Sequence, residues 1–399
     1  MERIFENTEI ALELKSDEEI SRSYFLFSLI KKEPLVKIGT AITKFALKTN
    51  MPVEKLIRTT VFDHFCGGIN ESDCLPIIKK MYAKKVYSVL DYSAEGKEEE
   101  VQFDYAVQKT LSTLEYAKDN EAIPFVVFKP TGFGRFEIYK KLSAGTSLSD
   151  REKIEWGEIR KRYIEVCDKA HSYNIPVLID AEESWMQDAA DTLVEEMMKR
   201  YNKDRVIVFN TLQAYRWDRL DYLKELLEKA RHQKFKIGIK LVRGAYMEKE
   251  RERALKYGYK DPICINKSAT DKLFNDCLKY MMNNLGDIEF FLGTHNENSS
   301  YLLMELLKEN GLDNNDKRVW YGQLYGMSDH ISYNLSNTGY NVAKYLPFGP
   351  VKDVMPYLIR RAEENTSVVG QTSRELQIIK KEKERRKNLK NNTANFKNN

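Results

Sequence analysis

The sequence predicts an α/β chain built on a (β/α)₈ TIM-type barrel with a helical arm in front of it. Three observations predict this. Short apolar, β-branched runs recur from about residue 85, segments with helical spacing lie between them, and the runs number eight. Each run is a continuous hydrophobic stretch, the kind of strand buried on both faces of a parallel sheet. Repeated βα units suit either a doubly wound sheet or a barrel, and eight over roughly 280 residues match the barrel.

The elements follow in order. Residues up to about 80 read as helical, with Ser16-Asp17-Glu18-Glu19 forming a capping-box pattern ahead of an apolar run that includes Tyr24-Phe25-Leu26-Phe27. The strand runs are KKVYSVLDYS, IPFVVFKPTG, IPVLIDAEES, RVIVFNTLQAY, KIGIKLVRGAY, IEFFLGTHN, RVWYGQLYGM and VAKYLPFG. Phe103, Val107, Leu111 and Leu114 follow the first at helical spacing, and Leu220, Leu223, Leu227 and Ala230 follow the fourth. After the last run, FGPVKDVMPYLIRRAEEN reads as a helix capped by Asp353, with Pro356 in its first turn. The chain divides into an arm over 1–80, a barrel over 81–372 and a basic tail over 373–399, solvated and partly helical.

Composition narrows the function. With 399 residues, 42% hydrophobic, the chain has ample material for a large core. A net charge of +4 gives too weak a field for a nucleic-acid protein. The tail IIKKEKERRKNLK mixes Glu382 and Glu384 among its cations and has no aromatic residue, which argues against a binding element. Five Cys, without a CxxC pair or a Cys/His cluster, argue against zinc or a disulfide framework and for a reducing, cytoplasmic compartment. The N-terminus is too acidic for a signal peptide, and no apolar run is long enough to span a membrane, so membrane contact is expected to be peripheral.

Chemistry gathers where the runs end. Asp91 and Glu95, Lys129, Asp180 and Glu182, Gln213, Lys240 and Arg243, Thr294-His295-Asn296, Gln323 and Tyr345 each follow an apolar stretch. In a barrel these loops converge on one mouth, where active sites sit. On the last helix, Tyr357, Arg360, Arg361 and Glu364 share a face at i, i+3, i+4 and i+7. Taken alone, such a stripe is an ordinary solvated face. At a barrel mouth, adjacent arginines suit a carboxylate held by paired, charge-assisted hydrogen bonds, and Lys129 offers a third cation. There is no glycine-rich phosphate cradle.

The same residues carry a family resemblance. LDYSAEG, FKPTG, LIDAEES, TLQAY, KLVRGAYMEKERERA, FLGTHN, LPFG and PYLIRRAEEN resemble, in order, the signature blocks of proline dehydrogenase over about residues 85–370. The resemblance implies a distorted barrel, non-covalent FAD, and oxidation of L-proline to Δ1-pyrroline-5-carboxylate by hydride transfer to flavin N5. That is the first step of proline catabolism to glutamate. It also implies electrons passed to a quinone at a membrane surface. The length fits the monofunctional enzyme, whose product goes to a separate Δ1-pyrroline-5-carboxylate dehydrogenase.

Carried over residue by residue, the resemblance gives the proline carboxylate to Arg360, Arg361 and Lys129, and the ring walls to Tyr345, Tyr357 and Leu324. Asp180 lies in the pocket and orients Lys129 or a tyrosine. Glu95 pairs with Arg360 and closes the site. Gln213 and Lys240 meet the flavin edge, and Val242, Arg243, Gly244, Ala245 and Tyr246 run along ring and ribityl chain. Gly244 is read as glycine so that backbone can approach the cofactor. Thr294, His295 and Asn296 contact the ribityl-pyrophosphate portion, and Thr270, Gln323, Glu364, Thr366 and Ser367 add further cofactor contacts. Some branches of the family have Arg at the position of Lys240 and Lys at that of Arg243; Lys240 keeps the charge but lacks the planar fork. Two other readings compete: a Schiff-base barrel enzyme using Lys129 or Lys240 on a small acid, and a hydroxyproline dehydrogenase, against which the bulk of Tyr345 argues.

Overall fold

Parallel strands β1 (Val86–Tyr92), β2 (Phe125–Phe128), β3 (Val177–Ile179), β4 (Val208–Gln213), β5 (Ile237–Val242), β6 (Ile288–Gly293), β7 (Val319–Leu324) and β8 (Val342–Phe348) form one closed barrel in the computed structural model. The structure describes residues 3–32, 58–93, 97–367 and 371–397, without the side chains of 59, 362–367, 371 and 393–397. Each strand falls within one of the eight apolar runs. Val89 on β1 pairs with Phe125 of β2 on one side and Tyr345 of β8 on the other, which closes the ring. The (β/α)₈ expectation holds.

Strand side chains alternate, so each strand divides its residues between an outer layer under the helices and an inner layer. The inner layer holds Val89, Phe125, Val127, Leu178, Phe209, Phe291, Ala343 and Tyr345. Phe125 meets Phe209, Phe291 and Trp320 edge to face, at centroid separations of 5.8, 5.4 and 5.1 Å. These rings plug the barrel. Gly322 belongs to the plug by what it lacks: a Cβ there would stand 1.9 Å from the Phe291 ring. The site therefore rests on an apolar floor.

The helix after β8, Val351–Ser367, departs from expectation. It starts before Asp353, which lies in the first turn rather than capping it, and Pro356 lies beyond that turn. Its Val351, Val354, Met355 and Leu358 pack not on the barrel wall but on the arm, with Leu26, Phe27, Ile30 and Phe62. The wall by β1 and β8 is covered instead by helix Glu71–Tyr82, through Cys74, Ile78 and Met81. A helix bearing Tyr357, Arg360 and Arg361 on one face and apolar residues on the other satisfies both by lying between mouth and arm.

The arm helix Asp17–Ile30 has the expected capping box between Ser16 and Glu19. The segment read as a solvated tail belongs to a helix, Gln371–Lys397, packed on the arm. Ile378 and Ile379 join the arm's apolar cluster, each burial stabilising by about 1.5–3 kcal/mol. Glu382 is fully buried and accepts hydrogen bonds from Thr8, Arg385 and Arg386 at 2.8–2.9 Å. Arg386 also donates to the carbonyls of Leu12 and Lys15. The charges that made this tail look solvated are its docking contacts. Among the described residues, no helix is long and apolar enough to cross a membrane.

Candidate active site

The alternation that builds the plug also builds the site above it. Two residues beyond an inner-layer residue on each of the first three strands stand Asp91, Lys129 and Asp180; Gln213 and Lys240 keep the same parity on β4 and β5. With Tyr345 they line a cavity of about 600 Å³ at the C-terminal end of the barrel. Within it an ion chain crosses the floor. Lys129 Nζ donates to Asp91 Oδ1 at 3.0 Å and lies 3.6 Å from Asp180 Oδ2. Asp180 also pairs with Lys240, whose Nζ donates to the Tyr345 hydroxyl at 3.0 Å.

These charges set one another. Burial pushes the Asp180 carboxyl up, but Lys240 and Lys129 together overcome it and hold it below the ordinary carboxylate range. Burial, reinforced by Asp180 and Asp91, drives the Tyr345 phenol well above its usual range, so it stays protonated. Asp180 thus lies beside Lys129 and reaches Tyr345 by way of Lys240. Asp91 ends an apolar run, but no sequence motif assigns it a role. Its parity with Val89 is the signal that turns it inward.

Arg243, Thr294 and Gln323 have the opposite parity and form an outer shelf. Arg243 donates to Asp271 at 2.7 Å, Thr294 at 2.9 Å and Ser299 at 3.1 Å, over the Phe274 ring. Gln323 donates to the Thr294 carbonyl and accepts from Ser332. Gly244, Ala245, Tyr246, His295 and Asn296 line the cavity as well, as does Val242, which has the parity of Lys240. Gly244 has a reason to be glycine within the protein itself. Its φ is +131°, and an added Cβ would lie 2.5 Å from the Tyr215 ring, so packing alone favours glycine, apart from any approach to a cofactor. His295 is neutral: burial, with Lys344 and Arg361 nearby, lowers its pKa to about 3.

The last helix brings Tyr357, Arg360 and Arg361 to the cavity, with Leu324 beneath. The Arg360 guanidinium lies 5.8 Å from the Tyr246 ring centroid, and that of Arg361 5.3 Å from Tyr357. The loop after β1 reaches this helix, since Lys97 Nζ donates to Asp353 at 2.9 Å. Glu95 lies outside the described residues, as do the side chains of Glu364, Thr366 and Ser367. Thr270 is not brought to the cavity wall; it is buried, with its hydroxyl toward Cys264. Sequence reasoning missed Ser328, Arg374 and Glu375, which line the cavity. No local pattern announces the last two, because they stand in a stretch that reads as a charged tail.

The family model described as Proline dehydrogenase matches residues 74–374. The chain is 38% identical over 300 residues to the carbapenem antibiotics biosynthesis protein CarD of Pectobacterium carotovorum subsp. carotovorum, covering 75% of this chain and 77% of that one. It is 31% identical over 400 residues to mitochondrial proline dehydrogenase 2 of Arabidopsis thaliana, covering 88% and 84%. Its fold matches proline utilization A from Bdellovibrio bacteriovorus, inactivated by N-propargylglycine, with a TM-score of 0.69 at 19% identity; the match covers 90% of this chain and 38% of that one.

Proposed function

Because the chain belongs to the proline dehydrogenase family and is an oxidoreductase acting on proline, we propose that its cavity holds FAD and oxidises L-proline to Δ1-pyrroline-5-carboxylate. The observation that carries this reading is the buried chain Asp91–Lys129–Asp180–Lys240–Tyr345 lying in one cavity with two arginines. A volume of about 600 Å³ lies in the range of cofactor sites. The inner cup suits a small amino acid, and the outer shelf, with a neutral histidine and backbone at Gly244, suits the cofactor.

Arg360 and Arg361 hold the substrate carboxylate. Lys129 is already balanced by Asp91 and Asp180, so it adds to the field rather than acting as a free third clamp. Tyr345, Tyr357 and Leu324 wall the pyrrolidine ring and exclude water. FAD, when bound, supplies the acceptor for the hydride leaving proline. Lys240 places a cation where negative charge then develops. His295 does not take the ammonium proton, since its pKa of about 3 leaves it a poor base; the proton passes to solvent. Electrons go to a quinone at a membrane surface, and the product to a separate dehydrogenase. The Schiff-base reading loses ground because both candidate lysines are engaged by carboxylates, whereas a nucleophilic amine needs surroundings that expel its proton.

The visible spectrum of the purified protein tests this. A flavin spectrum bleached by proline is expected. Arg361→Met should keep the flavin and raise KM for proline roughly ten- to hundredfold, the loss of one bond to a charged group. A colourless protein overturns the cofactor, and an unchanged KM overturns the clamp.

A further inference from the structure

Ser328 joins the cavity to the C-terminal helix. It is a non-glycine residue in the left-handed region, with φ 51° and ψ 40°. Glu375 holds it there: its Oε1 accepts from the Ser328 backbone N–H at 2.6 Å and faces the Ser328 hydroxyl at 3.2 Å. On the other side, the same hydroxyl oxygen lies 2.9 Å from Nδ1 of His295. Glu375 and Ser328 are buried.

A serine hydroxyl has one proton. The Glu375 oxygen already accepts from a backbone N–H, so it is an acceptor, and the hydroxyl must donate to it. If the proton pointed at His295 instead, two oxygen lone pairs would face each other at 3.2 Å. With the hydroxyl proton so committed, Ser328 can only accept from His295, and Nδ1 must carry a hydrogen. Among the described residues this is the hydrogen bond the ring makes, and the ring lines the cavity. The ring is neutral, so Nε2 carries a lone pair.

We propose that Glu375 is a positioning residue of this cavity, acting through Ser328 to hold His295 as the Nδ1–H tautomer, with Nε2 left to accept a hydrogen bond from a ligand hydroxyl. A bare nitrogen repels a phosphate oxygen, so on the flavin reading, which this inference assumes, His295 meets a hydroxyl of the ribityl or ribose portion and not the pyrophosphate.

The test uses the holoenzyme labelled with ¹⁵N-histidine, in which side-chain nitrogen shifts separate protonated from bare nitrogens; His295→Gln identifies the signal. The wild type should show Nδ1 protonated and Nε2 bare. Ser328→Ala and Glu375→Ala should lose this preference and bind FAD about five- to tenfold more weakly, as one hydrogen bond is lost. Glu375→Gln, whose amide oxygen accepts both bonds, should restore both readouts. Should Glu375→Ala not fold, Ser328→Ala decides, since it leaves the grip of Glu375 on the backbone N–H intact. An Nε2–H ring in the wild type, or a Ser328→Ala variant with unchanged tautomer and affinity, overturns the proposal. A protein without flavin overturns the ligand reading instead, while the tautomer measured in the same sample still decides the role of Glu375.

Discussion

Lys240, which is buried, and Asp180, which is partly exposed, lie side by side in the cup, and each limits what the other does to a bound ligand. On the flavin reading, a reduced ring carries extra negative charge, which Lys240 favours and Asp180 opposes. Lys240→Met should lower the flavin reduction potential and Asp180→Asn should raise it. Each shift is roughly 30–65 mV, the two-electron equivalent of one contact to a charged group. Potentiometric titration of both variants checks this; shifts of the same sign would place the pair away from the ring. Sequence reading found both residues, because each ends an apolar run. It could not find their partnership, since 60 positions separate them.

At the scale of elements, the arm, the last barrel helix and the C-terminal helix form a second apolar cluster beside the barrel. Its electrostatic pin is Asp329, which accepts from Lys15 of the arm and Lys344 of β8, both at 2.7 Å. Burial raises the Asp329 carboxyl, but Lys15 and Lys344 outweigh it and hold the group well below its usual range. Asp329→Asn would leave the fully buried Lys344 without its counter-charge. Breaking such a pair costs about 3–5 kcal/mol, to be measured as a fall in unfolding free energy by urea. Hydrogen exchange should quicken in the helix Asp17–Ile30. Unchanged exchange there would mean that apolar contacts alone hold the arm. None of this was legible in sequence beyond the helices themselves, because Lys15 and Asp329 look like any surface charges until the chain folds.

For the whole molecule, acid stability follows from two histidines kept neutral. Burial, aided by Lys15, lowers His64 to about 3, and burial with Lys344 and Arg361 does the same to His295. Both start from an unfolded value of 6.5. Between these values the unfolded chain binds protons that the folded chain refuses, so unfolding free energy falls as pH falls. From pH 7 to 5 the loss is at most about 2 kcal/mol per histidine. Depressed carboxylates such as Asp329 add their loss only at lower pH, while burial raises Asp188, Glu250 and Glu289, whose proton uptake in the folded chain offsets part of the histidine loss. Urea midpoints at pH 7, 6 and 5 should decline, and less steeply in His64→Gln; a variant that declines as steeply as the wild type would mean that this ring is protonated in the native state.

The sequence by itself determined the barrel, because strands buried on both faces must be written as unbroken apolar runs, and eight such runs can be counted. It determined which residues end those runs and that Tyr357, Arg360 and Arg361 share a face, since both are matters of local period. Only the tertiary structure decided which lysine meets which aspartate, why Gly244 has no side chain, and that the last helix lies against the arm. It alone brought Glu375 to Ser328 and Ser328 to His295. These are contacts between residues far apart in the chain, where no period or spacing is shared and the outcome depends on which surfaces are left to bury once the barrel has closed.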